Sequence, residues 1–106
     1  MKESPNLKYI DQLAGGDNEF REKFIGILKE EFPLESEEYQ KNMEGRLFKV
    51  ASENVHKIKH KINVLGLHNT YTLAVRHENE LRNGEDTLHG EFMGILQDIQ
   101  SYLKTI

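Results

Sequence analysis

The sequence predicts an all-α fold: an antiparallel up-and-down four-helix bundle with a short extra N-terminal helix. Three observations carry this expectation. Apolar residues recur at spacings of three and four through most of the chain, the period of a one-faced helix. Glycine-bearing turn signals at Gly15-Gly16, Gly45, Gly66 and Asn83-Gly84 divide those runs into pieces of helical length. No stretch of useful length alternates apolar with polar residues as a half-buried strand would. Connections this short place consecutive helices as antiparallel neighbours.

The elements follow in order. Residues 1–6 read as a loose tail, and Leu7, Tyr9, Ile10 and Leu13 form a short helix that Gly15-Gly16 ends. Asp17 is a natural N-cap for the next helix, with Glu19 in its first turn. Phe20, Phe24, Ile27 or Leu28, and Phe32 follow at helical spacing, and a kink or short break is expected at Pro33. Helix resumes through Leu34, Tyr39 and Met43 to Gly45. The segment from about Arg46 to Leu65 carries Leu47, Ala51, Val55, Ile58, Ile62 and Leu65 within a sector of roughly 80°. Gly66 closes it. A fourth long segment runs from Asn69 or Thr70 to about Arg82, with Leu73, Ala74, His77 and Leu81 inward. The last helix takes Asp86 or Thr87 as its cap and repeats Leu88, Phe92, Ile95, Ile99, Leu103 and Ile106. Gly26, Gly90 and Gly94 fall inside these helices, where close helix–helix approach would explain them.

Composition narrows the function. A chain of 106 residues is expected to be a single domain, residues 1–106, free-standing to judge from Met1 and its compact ends. It has no cysteine, which removes disulfides, thiolate metal sites and cysteine nucleophiles. No apolar run is long enough to span a bilayer, and the N-terminus lacks the apolar core of a secretory signal, so a cytoplasmic protein is expected. The net charge of −4 conceals a split. Residues 46–61 hold five Lys/Arg against the single Glu53, whereas residues 17–45 hold nine acids against four bases. Cations concentrate on one helix, a field that suits an anion or an acidic partner.

On that helix His56 points away from the apolar stripe, with Lys59 and His60 about one turn further along. Neither G-x-S-x-G nor a phosphate-binding G-K-[ST] loop occurs. His56 and His60 could clasp a metal, but Lys57, Lys59 and Lys61 surround them with positive charge and no carboxylate falls in the repeat, so no metal is expected. The basic patch lacks the interleaved aromatics that nucleic-acid binding favours. What remains is nucleophilic chemistry. A neutral imidazole attacks well near neutral pH, and adjacent cations can hold a phosphoryl oxygen. Phe20, Phe24 and Phe92 are expected in the core, Lys57 and Lys61 in solvent. His68, His77 and His89 are expected to be solvated, His77 in part buried.

The segment H-K-I-K-H-K-I-N-V-L-G-L resembles the signature of histidine-containing phosphotransfer (HPt) domains, roughly H-x-[LI]-K-G-x-x-x-x-[LIV]-G. His56 matches the phospho-acceptor, Ile58 and Leu65 the apolar positions, Lys59 the lysine and Gly66 the last glycine. The order of helices around it is similar along essentially the whole chain. One position departs: His60 stands where the family usually carries a small residue, most often glycine, that leaves room for a partner. The resemblance implies a four-helix bundle that shuttles a phosphoryl group between aspartates of response-regulator receiver domains, or from a sensor or hybrid histidine kinase. It implies His56 as acceptor, Lys59 as the cation balancing phosphoryl charge, and His60, Lys57 and Gly66 at the docking surface. It implies a monomeric carrier rather than a turnover enzyme, with no cofactor of its own, the divalent metal being the receiver's. A binding-only relative that docks a receiver or kinase without accepting phosphate is the alternative.

Overall fold

The computed structural model describes residues 3–106. Among them are five helices and no strand: α1 (Lys8–Ala14), α2 (Asn18–Glu44), α3 (Phe48–Val64), α4 (His68–Arg82) and α5 (His89–Leu103). None is long and apolar enough to cross a membrane. α3 packs chiefly on α4 and on α2, α5 touches both α2 and α4, and α1 lies on α2. Ile25, Leu28, Phe32, Tyr39 and Met43 of α2 meet Ala51, Val55, Ile58 and Ile62 of α3 in one core with Leu81 of α4 and Phe92, Leu96 and Ile99 of α5.

The boundaries follow local chemistry. Gly15 ends α1 at φ 56°, in the left-handed region, and its N–H bonds the Asp11 carbonyl. Asp17 caps α2 as expected, its carboxylate accepting from the Phe20 N–H at 3.1 Å. Gly66 ends α3 at φ 77°, and a Cβ built there would stand 2.5 Å from Asn6 Nδ2. Two demands converge on that glycine: the backbone sign, and the space taken by the N-terminal segment.

Several expectations change. Pro33 neither breaks α2 nor ends it; the helix runs through as 27 residues. It lies on the solvent side beside buried Phe32, where a carbonyl left without its donor can bond water. Residues 3–6 are no loose tail: the Asn6 N–H bonds the Leu65 carbonyl at 2.9 Å. Glu3 caps α4, accepting from the Asn69 and Thr70 N–H groups at 2.8 and 2.9 Å. Residues 1 and 2 of that expected tail lie outside the described residues. Neither Asp86 nor Thr87 caps α5; Leu88 occupies the cap without a side-chain bond, and Thr87 donates instead to Glu80. Phe20, Leu34 and Leu47 are exposed rather than in the core, and of Ile27 and Leu28 it is Leu28 that is buried. Gly26, Gly90 and Gly94 answer no close approach, since a Cβ at any of them would meet nothing within 4 Å.

Candidate functional site

His56 lies on the edge of α3 that faces α4, because Val55 and Ile58 on either side of it turn the apolar stripe into the core. Its side chain is 51 % exposed, and Nδ1 lies 3.1 Å from Oε2 of Glu78 on α4. Glu78 itself is only 3 % exposed. Lys59 Nζ stands 2.8 Å from the other carboxylate oxygen, and Arg82 Nη2, one turn along α4, 2.5 Å from Oε2. One buried carboxylate thus gathers three basic groups from two helices. Burial alone would raise the Glu78 pKa, but the bonds from Lys59 and His56 and the charges of Lys59 and Arg82 outweigh it and hold the carboxyl below its ordinary value. A charged Glu78 accepts only, so the proton of a neutral His56 sits on Nδ1. Nε2, on the far edge of the ring, is left without a hydrogen-bond partner among the described residues.

The other expected site residues divide. The His60 ring stands edge-on to His56, centroids 5.0 Å apart, as the i, i+4 spacing requires. Lys57 is exposed and lines a groove of about 320 Å³ with Glu53, His56 and Arg82. Lys59 is brought to the site but not to the solvent, its side chain 13 % exposed against Glu78. Gly66 is about 15 Å from His56 along the axis, at about 1.5 Å per residue, beneath Asn6. Lys61 is no solvated lysine. It bridges α3 to α2 through Glu31 at 3.1 Å and Glu35 at 3.0 Å. Among the described residues no group of three or more His, Cys, Asp or Glu is placed to hold a metal ion.

Sequence reasoning missed Glu78 and Arg82. Their i, i+4 spacing on α4 was visible, but nothing in the chain says which edge of α4 meets α3. It set His77 on the inward face while leaving it open to solvent in part, and it put His89 in solvent. His77 is fully buried, its Nε2 2.7 Å from the Tyr39 hydroxyl, and His89 Nδ1 lies 2.8 Å from the same oxygen. Tyr39 of α2 thereby ties α4 to the first residue of α5. His77 Nδ1 is buried with no hydrogen-bond partner among the described residues. A bare lone pair there costs less than a stranded N–H, so His77 donates from Nε2 to Tyr39 and Tyr39 donates to His89. Burial, and then the neighbouring His89, push the His77 pKa down to about 4, and burial raises that of the Tyr39 hydroxyl.

No family model, curated protein or solved structure matches the chain.

Proposed function

We propose that this chain is a phosphorelay carrier: His56 accepts a phosphoryl group and passes it to or from an aspartate of a response-regulator receiver domain. One observation carries the reading: a half-exposed imidazole whose Nδ1 is held by a buried carboxylate while Nε2 is left for reaction. The HPt-like signature around His56 supports the same role. So does the packing of α2 on α3, α3 on α4, α4 on α5 and α5 back on α2, which is what an up-and-down four-helix bundle requires.

In this reading the Nε2 lone pair attacks the phosphorus of an aspartyl phosphate. The P–N bond forms as the P–O bond to the aspartate breaks, and the electron pair leaves with the carboxylate. The ring becomes an imidazolium whose Nδ1 proton stays bonded to Glu78, so the new positive charge forms against an existing negative one. The reverse transfer restores the neutral ring. His56 is therefore a carrier rather than a turnover catalyst, and the divalent metal belongs to the receiver.

The experiment is incubation with a phosphorylated receiver domain. The expected label on the chain is acid-labile and alkali-stable, and absent from His56→Gln at unchanged helix content. Label persisting in that variant moves the acceptor elsewhere. Complex formation without any label leaves a docking-only bundle.

A further inference from the structure

Resting on the carrier role of His56, the geometry points to Arg82, rather than Lys59, as the cation that grips the phosphoryl group. Signature matching assigns that charge to Lys59, three residues along the same helix. Lys59 is nonetheless committed: its ammonium is 2.8 Å from Glu78 Oε1, with its side chain 13 % exposed. Drawing it out to meet a phosphoryl oxygen would strip a buried carboxylate of its partner, a costly exchange. Arg82 is differently placed. One guanidinium nitrogen, Nη2, lies 2.5 Å from the same Oε2 that accepts from His56 Nδ1, so the two groups are neighbours across one oxygen. The Arg82 side chain is 54 % exposed and lines the groove beside His56 with Lys57 and Glu53.

The chemistry of the two cations reinforces the placement. A guanidinium has five N–H donors in a planar fork, so one can remain on Glu78 while others meet phosphoryl oxygens. The Lys59 ammonium also has three donors, but it is held inside against Glu78, with its side chain only 13 % exposed to an incoming anion. Lys57 is exposed too, but among the described residues it shares no acceptor with His56 and makes no ion pair that would hold it beside the ring. Glu53, on the groove wall, offsets the charge of Lys57, which sharpens the need for a cation fixed at the ring. The ordinary alternative is that Arg82 is a helix-surface partner of Glu78 at i, i+4, of small consequence. The sharing of Oε2 with His56 separates the two: a surface pair would not touch the acceptor's own hydrogen-bond partner.

The test measures phosphoryl uptake from a phosphorylated receiver domain by the wild type, Arg82→Ala, Arg82→Lys and Lys49→Ala, an exposed lysine of α3 outside the groove, across about pH 5 to 8, the range in which histidine titrates. Loss of a charge-assisted contact to the transferring group should lower the Arg82→Ala plateau about ten-fold or more, with Arg82→Lys recovering part. Lys49→Ala should change it less than about three-fold, the scale of an exposed, screened charge. A cation acting only through Glu78 would shift the pH profile of Arg82→Ala and leave its plateau intact, which overturns the grip. Equal losses in Arg82→Ala and Lys49→Ala overturn it as well, since general positive potential would then suffice. Helix content and melting temperature of each variant exclude misfolding as the cause. Failure of the wild type to take up phosphate sinks the carrier reading and the grip together. Normal uptake by Arg82→Ala sinks the grip alone.

Discussion

Lowering the pH should weaken the fold through His77 before it disturbs the carboxylates. This side chain is buried where Tyr39, His89 and Phe92 surround it, with Glu80 and Asp86 the acids whose charge acts on it, and its Nδ1 has no acceptor among the described residues. A second proton would have to sit on that nitrogen. The cost of placing it there is why the pKa falls from an ordinary 6.5 to about 4. In the unfolded chain His77 takes up its proton near 6.5; in the folded chain it resists to about 4. Between those values the unfolded state binds more protons, so stability rises with pH. The contribution is complete above 6.5 and lost as pH falls toward 4. At about 1.4 kcal/mol per pH unit over that interval, the loss is about 3 kcal/mol, a large part of the stability of a small domain. Carboxylates held low, such as Glu78, lose their bonds only below an ordinary 4.5, so the window between is diagnostic. The assay is urea unfolding at a series of pH values on wild type and His77→Gln, which has no proton to gain. The wild-type midpoint should fall steeply from about pH 6.5 to 4.5, and the variant, less stable at neutral pH, should show a much flatter line. Parallel lines would refute the reasoning and place the acid sensitivity elsewhere.

Other expectations follow from single contacts. Gly26→Ala and Gly94→Ala should each raise stability by about 0.5–1 kcal/mol in thermal unfolding, because helix interiors favour alanine and the added Cβ meets nothing within 4 Å; a lowered melting temperature would mean the glycine is needed for the backbone itself. Lys61→Ala should cost about 1–2 kcal/mol by urea titration, since it removes the bridge from α3 to Glu31 and Glu35 and leaves Glu35 half-buried without its cation; a loss below about 0.5 kcal/mol would class the bridge as a screened surface pair. His60→Gly should cost about 1 kcal/mol of helix stability and also change transfer rates across a panel of receivers, selectively if the ring beside His56 contacts a matched partner. Identical rates across the panel would make His60 a bystander.

The helices were legible because their information is local. Asp17 caps α2, Gly15 and Gly66 turn the chain, and from Ala51 onward the α3 stripe buries the residues its period selects. The errors share a different cause, dependence on a second segment. Glu3 is an ordinary tail residue until the N–H groups of Asn69 and Thr70 stand in front of it. Phe20 and Leu34 fit a helical period but fall on the side of α2 that no helix covers. Periodicity says that a face exists, and only packing says whether it is used. The two buried histidine contacts are of the same kind, since Tyr39 and His89 lie far apart in the chain and meet only when α2 receives α5.

The candidate site shows the same division more sharply. His56 was found from its own helix, as was its neighbour His60. Glu78 was not, because its role is conferred by the geometry of α4 against α3. Yet Glu78 decides what His56 can do. Without it the Nδ1 and Nε2 tautomers of an exposed imidazole would compete, and both nitrogens would be open to water. With it one nitrogen is committed and the other is left to react. Lys59 then acquires a role the signature alone does not suggest. By standing on Glu78 Oε1 inside the protein, it keeps the carboxyl charged despite burial, and so keeps it an acceptor for the Nδ1 proton. In the proposed carrier the division of labour would follow from exposure: the buried cation maintains the counter-charge, while the half-exposed Arg82 keeps donors for the incoming anion. A lysine placed for phosphoryl contact would need solvent access, and at this site the access belongs to the arginine.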